Sequence, residues 1–77
     1  MVYILVTYHE IEFPVFMNSL VTINIYNFLG KLVFTETFDT GTNNIFNTNL
    51  SDNLPGLYIV NIQSENLNIS KKLILVK

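Results

Sequence analysis

The sequence predicts an all-β fold, a small antiparallel β-sandwich forming one domain. Three observations point there. Apolar residues recur with period two rather than 3.6, as in Val21, Ile23 and Ile25 set against Thr22, Asn24 and Tyr26. β-Branched and aromatic residues dominate and Ala is absent, which favours sheet over helix. Apolar segments follow one another at intervals of about 8–12 residues, divided by Gly, Pro and Asn turns, the spacing of sandwich strands.

Met1 to Val6 opens with the apolar run Val2-Tyr3-Ile4-Leu5-Val6. No Lys precedes it, it is short, and no small-residue cleavage site follows, so it reads as a first strand rather than a leader. It is also far shorter than the roughly 20 residues of a membrane span. Glu10 to Met17 carries Pro14 inside an apolar run, which demotes that segment to an edge strand or a loop. Residues 1–19 are therefore set apart as an unassigned strand or loop segment, and residues 20–77 as the sandwich domain.

Leu20 to Tyr26 is the first well-patterned strand, with Val21, Ile23 and Ile25 on one face. Asn27-Phe28-Leu29-Gly30 follows: Asn suits the start of a type I turn and Gly its end, giving a hairpin with a G1 bulge. Lys31 to Phe38 returns, with Leu32, Phe34 and Phe38 expected on one face and Val33 marking a bulge or a second covered face. A polar loop, residues 39–44, leads to a strand over Ile45–Leu50. Leu54-Pro55-Gly56 reads as a type II turn, since Pro presets one φ and Gly permits the positive φ that follows. Tyr58 then begins a strand in which Tyr58, Val60 and Ile62 share one face, with Leu57, Ile59 and Asn61 on the other. In immunoglobulin-like sandwiches a Tyr so placed bonds back to the preceding loop, a tyrosine corner. Ser64 to Asn68 reads as a polar turn, and the last strand runs from Ile69 through Lys71 and Lys72 to Lys77.

The 77 residues contain no Cys, so neither disulfides nor thiolate metal sites support the fold. Hydrophobic residues make up 49% of the chain and aromatic residues 13% of it, which supplies a core instead. A net charge of −2, with four lysines and no Arg, excludes the basic face a nucleic-acid partner needs.

No constellation points to catalysis, a metal or a cofactor. His9 stands beside Glu10 and Glu12, but on a strand His9 and Glu10 face opposite ways, and zinc wants three or four convergent ligands. Glu36 with Asp39, and Asp52 with Glu65, are the conceivable carboxylate sets, and they lie on or beside turns. Ser51, Ser64 and Ser70 lack a positioned base. Asn49-Leu50-Ser51 and Asn68-Ile69-Ser70 match glycosylation acceptors, as an Asn-rich chain does by chance. Lys71, Lys72 and Lys77 have two readings: Lys on a terminal strand blocks unwanted β-pairing, and a terminal strand is also a usable recognition element.

From Val21 onward the order of motifs resembles the C-terminal sorting domain of the type IX secretion system, type A. The resemblance rests on Ile23-Asn24-Ile25-Tyr26-Asn27-Phe28-Leu29-Gly30-Lys31-Leu32-Val33, on Leu54-Pro55-Gly56-Leu57-Tyr58-Ile59-Val60, and on Lys71-Lys72-Leu73-Ile74-Leu75-Val76-Lys77. Pro55 and Gly56 stand one residue closer than in the family pattern. Phe13-Pro14-Val15 offers a Pro but not the family's Tyr-Pro-Asn-Pro-like opening, so the first strand is expected to be missing or degraded, with an apolar sheet edge left open to self-association.

The resemblance implies a small immunoglobulin-like antiparallel β-sandwich at the C-terminus of an exported protein of Bacteroidota-type bacteria. It implies recognition in the periplasm by an outer-membrane translocon and removal by a sortase-like peptidase, with the cargo reaching the cell surface or the medium. It implies no enzyme activity, no cofactor and no membrane insertion. Tyr26, Asn27, Gly30, Pro55, Gly56, Tyr58, Lys71, Lys72 and Lys77 are the motif residues it singles out. The alternative is a structural or adhesive sandwich module of a surface protein with no sorting role.

Overall fold

The computed structural model describes residues 4–7, 9–15, 17–48, 50 and 53–76. Lys77, Asn49, Ser51 and Asp52, singled out above, lie outside the described residues. The strands are β1 (Leu5–Val6), β2 (Glu10–Glu12), β3 (Leu20–Asn27), β4 (Leu32–Asp39), β5 (Ile45–Asn47), β6 (Gly56–Ser64) and β7 (Leu67–Leu75). They form two antiparallel sheets, β1-β2-β5 and β4-β3-β6-β7. The fold is thus the expected all-β sandwich. Its fourth strand lies beside the third, on the larger sheet, whereas the constant-type immunoglobulin arrangement puts it on the sheet of the first, second and fifth.

The large sheet follows the period-two pattern closely. Val21, Ile23 and Ile25 on β3, Tyr58, Val60 and Ile62 on β6, and Leu73 and Leu75 on β7 are all buried on one face. The small sheet closes over them with Ile4, Ile11 and Phe46, joined by Phe13 from just beyond β2. Aromatic rings tie the two layers together on the β4 side. Phe38 stacks on Phe13 with centroids 5.9 Å apart and meets Phe46 edge-on at 5.0 Å, a geometry that adds to simple burial.

Several expectations need correction. Leu32 does not share a face with Phe34 and Phe38. A register shift pairs Tyr26 with Leu32 but Ile25 with Phe34, so Val33 is the extra residue of a bulge and Leu32 turns outward. Glu10–Glu12 is neither edge nor loop: β2 is the middle strand of the small sheet. Pro14 does not interfere because it lies past the paired residues, where its carbonyl accepts the Met17 N–H in a turn.

The expected gap at the N-terminal side is filled by β1 and β2; Ile11 of β2 and Ile4, just before β1, lie in the core. The β6–β7 connection is also tighter than the Ser64–Asn68 turn expected. Ser64 pairs directly with Leu67, leaving the two-residue loop Glu65-Asn66.

Candidate recognition surface

The β3–β4 turn is held almost entirely by Asn27. Its carbonyl accepts the Gly30 N–H at 2.9 Å, and its own N–H donates to the Lys31 carbonyl at 2.9 Å. Its side-chain Oδ1 accepts the N–H groups of Leu29 and Lys31, each at 3.0 Å. Gly30 closes the turn at φ +85°, a left-handed conformation that costs a residue with a Cβ on the order of 1 kcal/mol. Asn at the start and Gly at the end therefore do the structural work. Phe28 and Leu29 between them are left 73% and 77% exposed.

The second motif lies beside the first, since Asn27 pairs with Tyr58 across β3 and β6. Tyr58 is buried and its hydroxyl donates to the Leu54 carbonyl, the corner expected from its position. Pro55 and Gly56 differ from the type II turn expected. Gly56 has positive φ, but at +141° it is already the first residue of β6, far from the roughly +80° of that turn. The Tyr58 hydroxyl bond, rather than a tight turn, fixes this bend.

Tyr58→Phe is expected to cost about 1–2 kcal/mol, because a partly buried carbonyl loses its donor. In a domain of this size that is a fall of about 5–15 °C in melting midpoint, read by thermal circular dichroism. An unchanged midpoint would show that the corner bond contributes nothing.

Between the two motifs lies a cleft of about 250 Å³, lined in part by Asn27, Phe28, Leu54, Pro55, Gly56 and Tyr58. The outer face of the large sheet continues from it. Leu32, Tyr26, Ile59 and Lys72 lie side by side across the four strands, with Leu57 and Ile74 paired in the next row. Leu32, Leu57 and Ile74 are exposed there, and so is Leu54 at the rim. The rows towards the other end of the same face are polar. Thr35 Oγ1 donates to Asn24 Oδ1 at 2.6 Å, and Asn61 Nδ2 donates to Asn68 Oδ1 at 3.0 Å and to Ser70 Oγ at 3.2 Å. One face therefore has an apolar end followed by amide-and-hydroxyl rows, with the exposed Leu20 opposite Asp39 at the far end. Lys31 and Lys72 border the apolar end, whereas Asp39 and Glu65 lie at the other.

Of the residues singled out from the sequence, Tyr26, Asn27, Gly30, Pro55, Gly56 and Tyr58 converge at this end, and Lys72 joins them on the outer face. Lys71 does not: it pairs with the buried Val60 and takes the inner side of the edge strand. Sequence reasoning missed Phe28, Leu29 and Leu54. The available signal was their chemistry, because large apolar residues at turn positions usually held by Gly, Asn or Asp call for an explanation.

The candidate chemical groups are dispersed. His9 is exposed and precedes β2 instead of lying on it, so the opposite faces of a strand do not apply, and its Nε2 is 3.6 Å from Glu10 Oε1. Glu36 and Asp39 point to opposite faces of β4, and Asp39 Oδ1 accepts the Gly41 N–H. Ser70 and Asn68 are engaged with Asn61. Among the described residues no three His, Cys, Asp or Glu side chains gather as a metal site would require. A larger cavity of about 630 Å³ opens at the opposite end, between Met17–Leu20 and Ser64–Leu67, and none of the singled-out motif residues lines it. No helix among the described residues is long and apolar enough to cross a membrane.

A family model described as the secretion system C-terminal sorting domain matches residues 6–77. The match begins well before Val21, so it takes in β2 as well as the strands that carry the recognisable motifs. No curated protein matches the chain.

Proposed function

The chain belongs to the family of secretion system C-terminal sorting domains, and from that premise we propose that an outer-membrane type IX translocon reads the apolar end of its outer face, after which a sortase-like peptidase removes the domain. The family membership assigns the coarser role, a sorting signal for type IX export to the cell surface or out of the cell. The observation that supports the finer reading is the convergence of the two family motifs. They build one end of the sandwich and hold Phe28, Leu29 and Leu54 out into solvent. Exposed apolar side chains on a backbone held in place are suited to anchor a partner, because the preformed frame lowers the ordering cost of binding. Lys72 borders the same surface and adds a charge for orientation.

The test is export of a reporter. The whole chain is fused behind a signal peptide and a reporter enzyme, in a host that has the type IX system and in a translocon-deficient derivative of it. Reporter at the surface or in the medium is expected only in the first host. Reporter retained in the periplasm of both would overturn the proposal. Loss of the domain from the exported product, seen as a drop in its mass, is the expected signature of peptidase action.

A further inference from the structure

The two edges of the large sheet carry opposite charges at matching places. β4 forms one edge and β7 the other, and among the described residues no strand lies beyond either. Glu36 sits on the inner side of β4, opposite Ile23 and between Phe34 and Phe38. Lys71 sits on the inner side of β7, opposite Val60 and between Ile69 and Leu73. Both charged side chains are exposed. A charge on the inner side of an edge strand guards it against an indiscriminate apolar strand. Here the two guards are complementary to each other.

We infer that the β4 edge of one copy of this chain pairs with the β7 edge of a second copy, with Glu36 facing Lys71 across the junction. Strand direction permits it. The four strands alternate, so β4 and β7 run antiparallel, and a second copy set alongside in the same orientation offers an antiparallel edge.

The side-chain pattern selects the register. With Glu36 opposite Lys71, Phe38 meets Ile69 and Phe34 meets Leu73 on the inner side, while Thr37 meets Ser70 and Thr35 meets Lys72 on the outer side. Phe34–Asp39, the part of β4 beyond the bulge at Val33, then has same-face partners in β7. A slip of two residues would set each charge against an apolar side chain, and a slip of one would exchange the faces.

The main-chain groups agree with this register. The Thr40 N–H bonds to the Ser19 carbonyl at 2.9 Å. Counting along the ladder from there, Phe34, Glu36 and Phe38 turn their main-chain groups to β3, and Thr35 and Thr37 turn theirs outward. On β7 the two-residue loop makes Ser64 and Leu67 a hydrogen-bonded pair, so Ile69, Lys71 and Leu73 face β6 and Ser70 and Lys72 face outward. In the paired edges Thr37 with Ser70 and Thr35 with Lys72 form the hydrogen-bonded pairs. Glu36 and Lys71 fall in a non-hydrogen-bonded pair, where opposed side chains are closest. Pairing of like edges about a two-fold would instead bring Glu36 against Glu36 or Lys71 against Lys71 where the axis passes at that residue, or each charge against an apolar side chain where it passes one residue away. The contact is accordingly head-to-tail, leaves a free edge at each end, and extends as an open chain of copies.

The experiment is analytical ultracentrifugation of the whole chain across a range of concentration, at low salt and at about 1 M salt, where the screening length falls to about 3 Å. Average mass rising with concentration and falling with salt is expected. E36K alone and K71E alone should each weaken association by about tenfold. A mixture of the two, and the double swap, should restore it, because each again offers opposite charges. E36Q and K71Q serve as milder versions, and a thermal melt of every variant confirms its fold. A monomer at all concentrations overturns the inference. So does association indifferent to both reversals, or a mixture and double swap that fail to recover it. A chain that stays monomeric yet captures an acidic strand-forming peptide also overturns it, since the edge would then serve a foreign strand.

Discussion

A chain that starts at Leu20 is expected to be unfolded. The segment before it supplies β1 and β2, and β2 is the strand on which the small sheet is assembled. Removing it strips Ile4, Ile11 and Phe13 from the core and leaves β5 with no neighbour among the described strands. It also uncovers Val21, Ile23, Val60 and Ile62, which are almost wholly buried. Loss of one large buried apolar side chain costs about 2–5 kcal/mol. A domain of this length has roughly 4–12 kcal/mol of total stability, so three such losses, about 6–15 kcal/mol, together with the uncovered face of the large sheet, use up what is available. The expected result is a far-ultraviolet spectrum without a cooperative thermal transition, and an exposed apolar surface that binds hydrophobic dyes. A cooperative melt of the shortened chain would show that the large sheet stands alone. Phe13→Ala in the whole chain is the graded version, expected to cost about 3–5 kcal/mol.

That prediction marks the place where the sequence is hardest to read. β3, β6 and β7 are long enough for alternation to show, and their buried faces are the ones the pattern implies. The Asn27–Gly30 turn and the Tyr58 corner are local, with every bond made within a few residues. β1 and β2 span two and three residues, too few for any periodicity. β1 pairs with β2, and β2 takes its place only by pairing with β5, more than thirty residues away along the chain, which a local reading cannot supply. Pro14 compounded the problem, because a Pro near a short apolar run signals a break whether it lies inside the strand or just past it.

The candidate surface was legible in its frame and not in its content. Asn27, Gly30, Pro55 and Tyr58 stand out because they carry special backbone or hydrogen-bonding roles. Phe28, Leu29 and Leu54 read as ordinary apolar residues until the fold shows that nothing in the described chain covers them. The bulge at Val33 is a similar case. Alternation places Leu32 with Phe34, and only the register reveals that the extra residue turns Leu32 to the apolar end of the outer face.

Leu73 and Ile74 are adjacent in β7 and face opposite ways, so substitutions there separate folding from recognition. Leu73 is 3% exposed and pairs with Tyr58, whereas Ile74 is 56% exposed and pairs with Leu57 on the outer face. Leu73→Ser removes core packing and buries a hydroxyl, at a cost of about 2–5 kcal/mol. It is expected to reduce export indirectly, by raising the unfolded fraction of the domain. Deleting residues 73–77 has the same defect as a test, since Leu73 and Leu75 both belong to the core. Ile74→Ser combined with Leu29→Ser touches only exposed side chains, so the melting transition is expected to move by no more than the shift of about 0.5 kcal/mol usual for each surface change. If the apolar end is what the translocon reads, each lost anchor weakens binding by more than about 1 kcal/mol, and the pair together reduces reporter export by about tenfold or more. The folded double variant trapped in the periplasm is therefore the expected outcome. Export of that variant at the wild-type level would refute recognition through this end and move attention to another surface of the same folded domain.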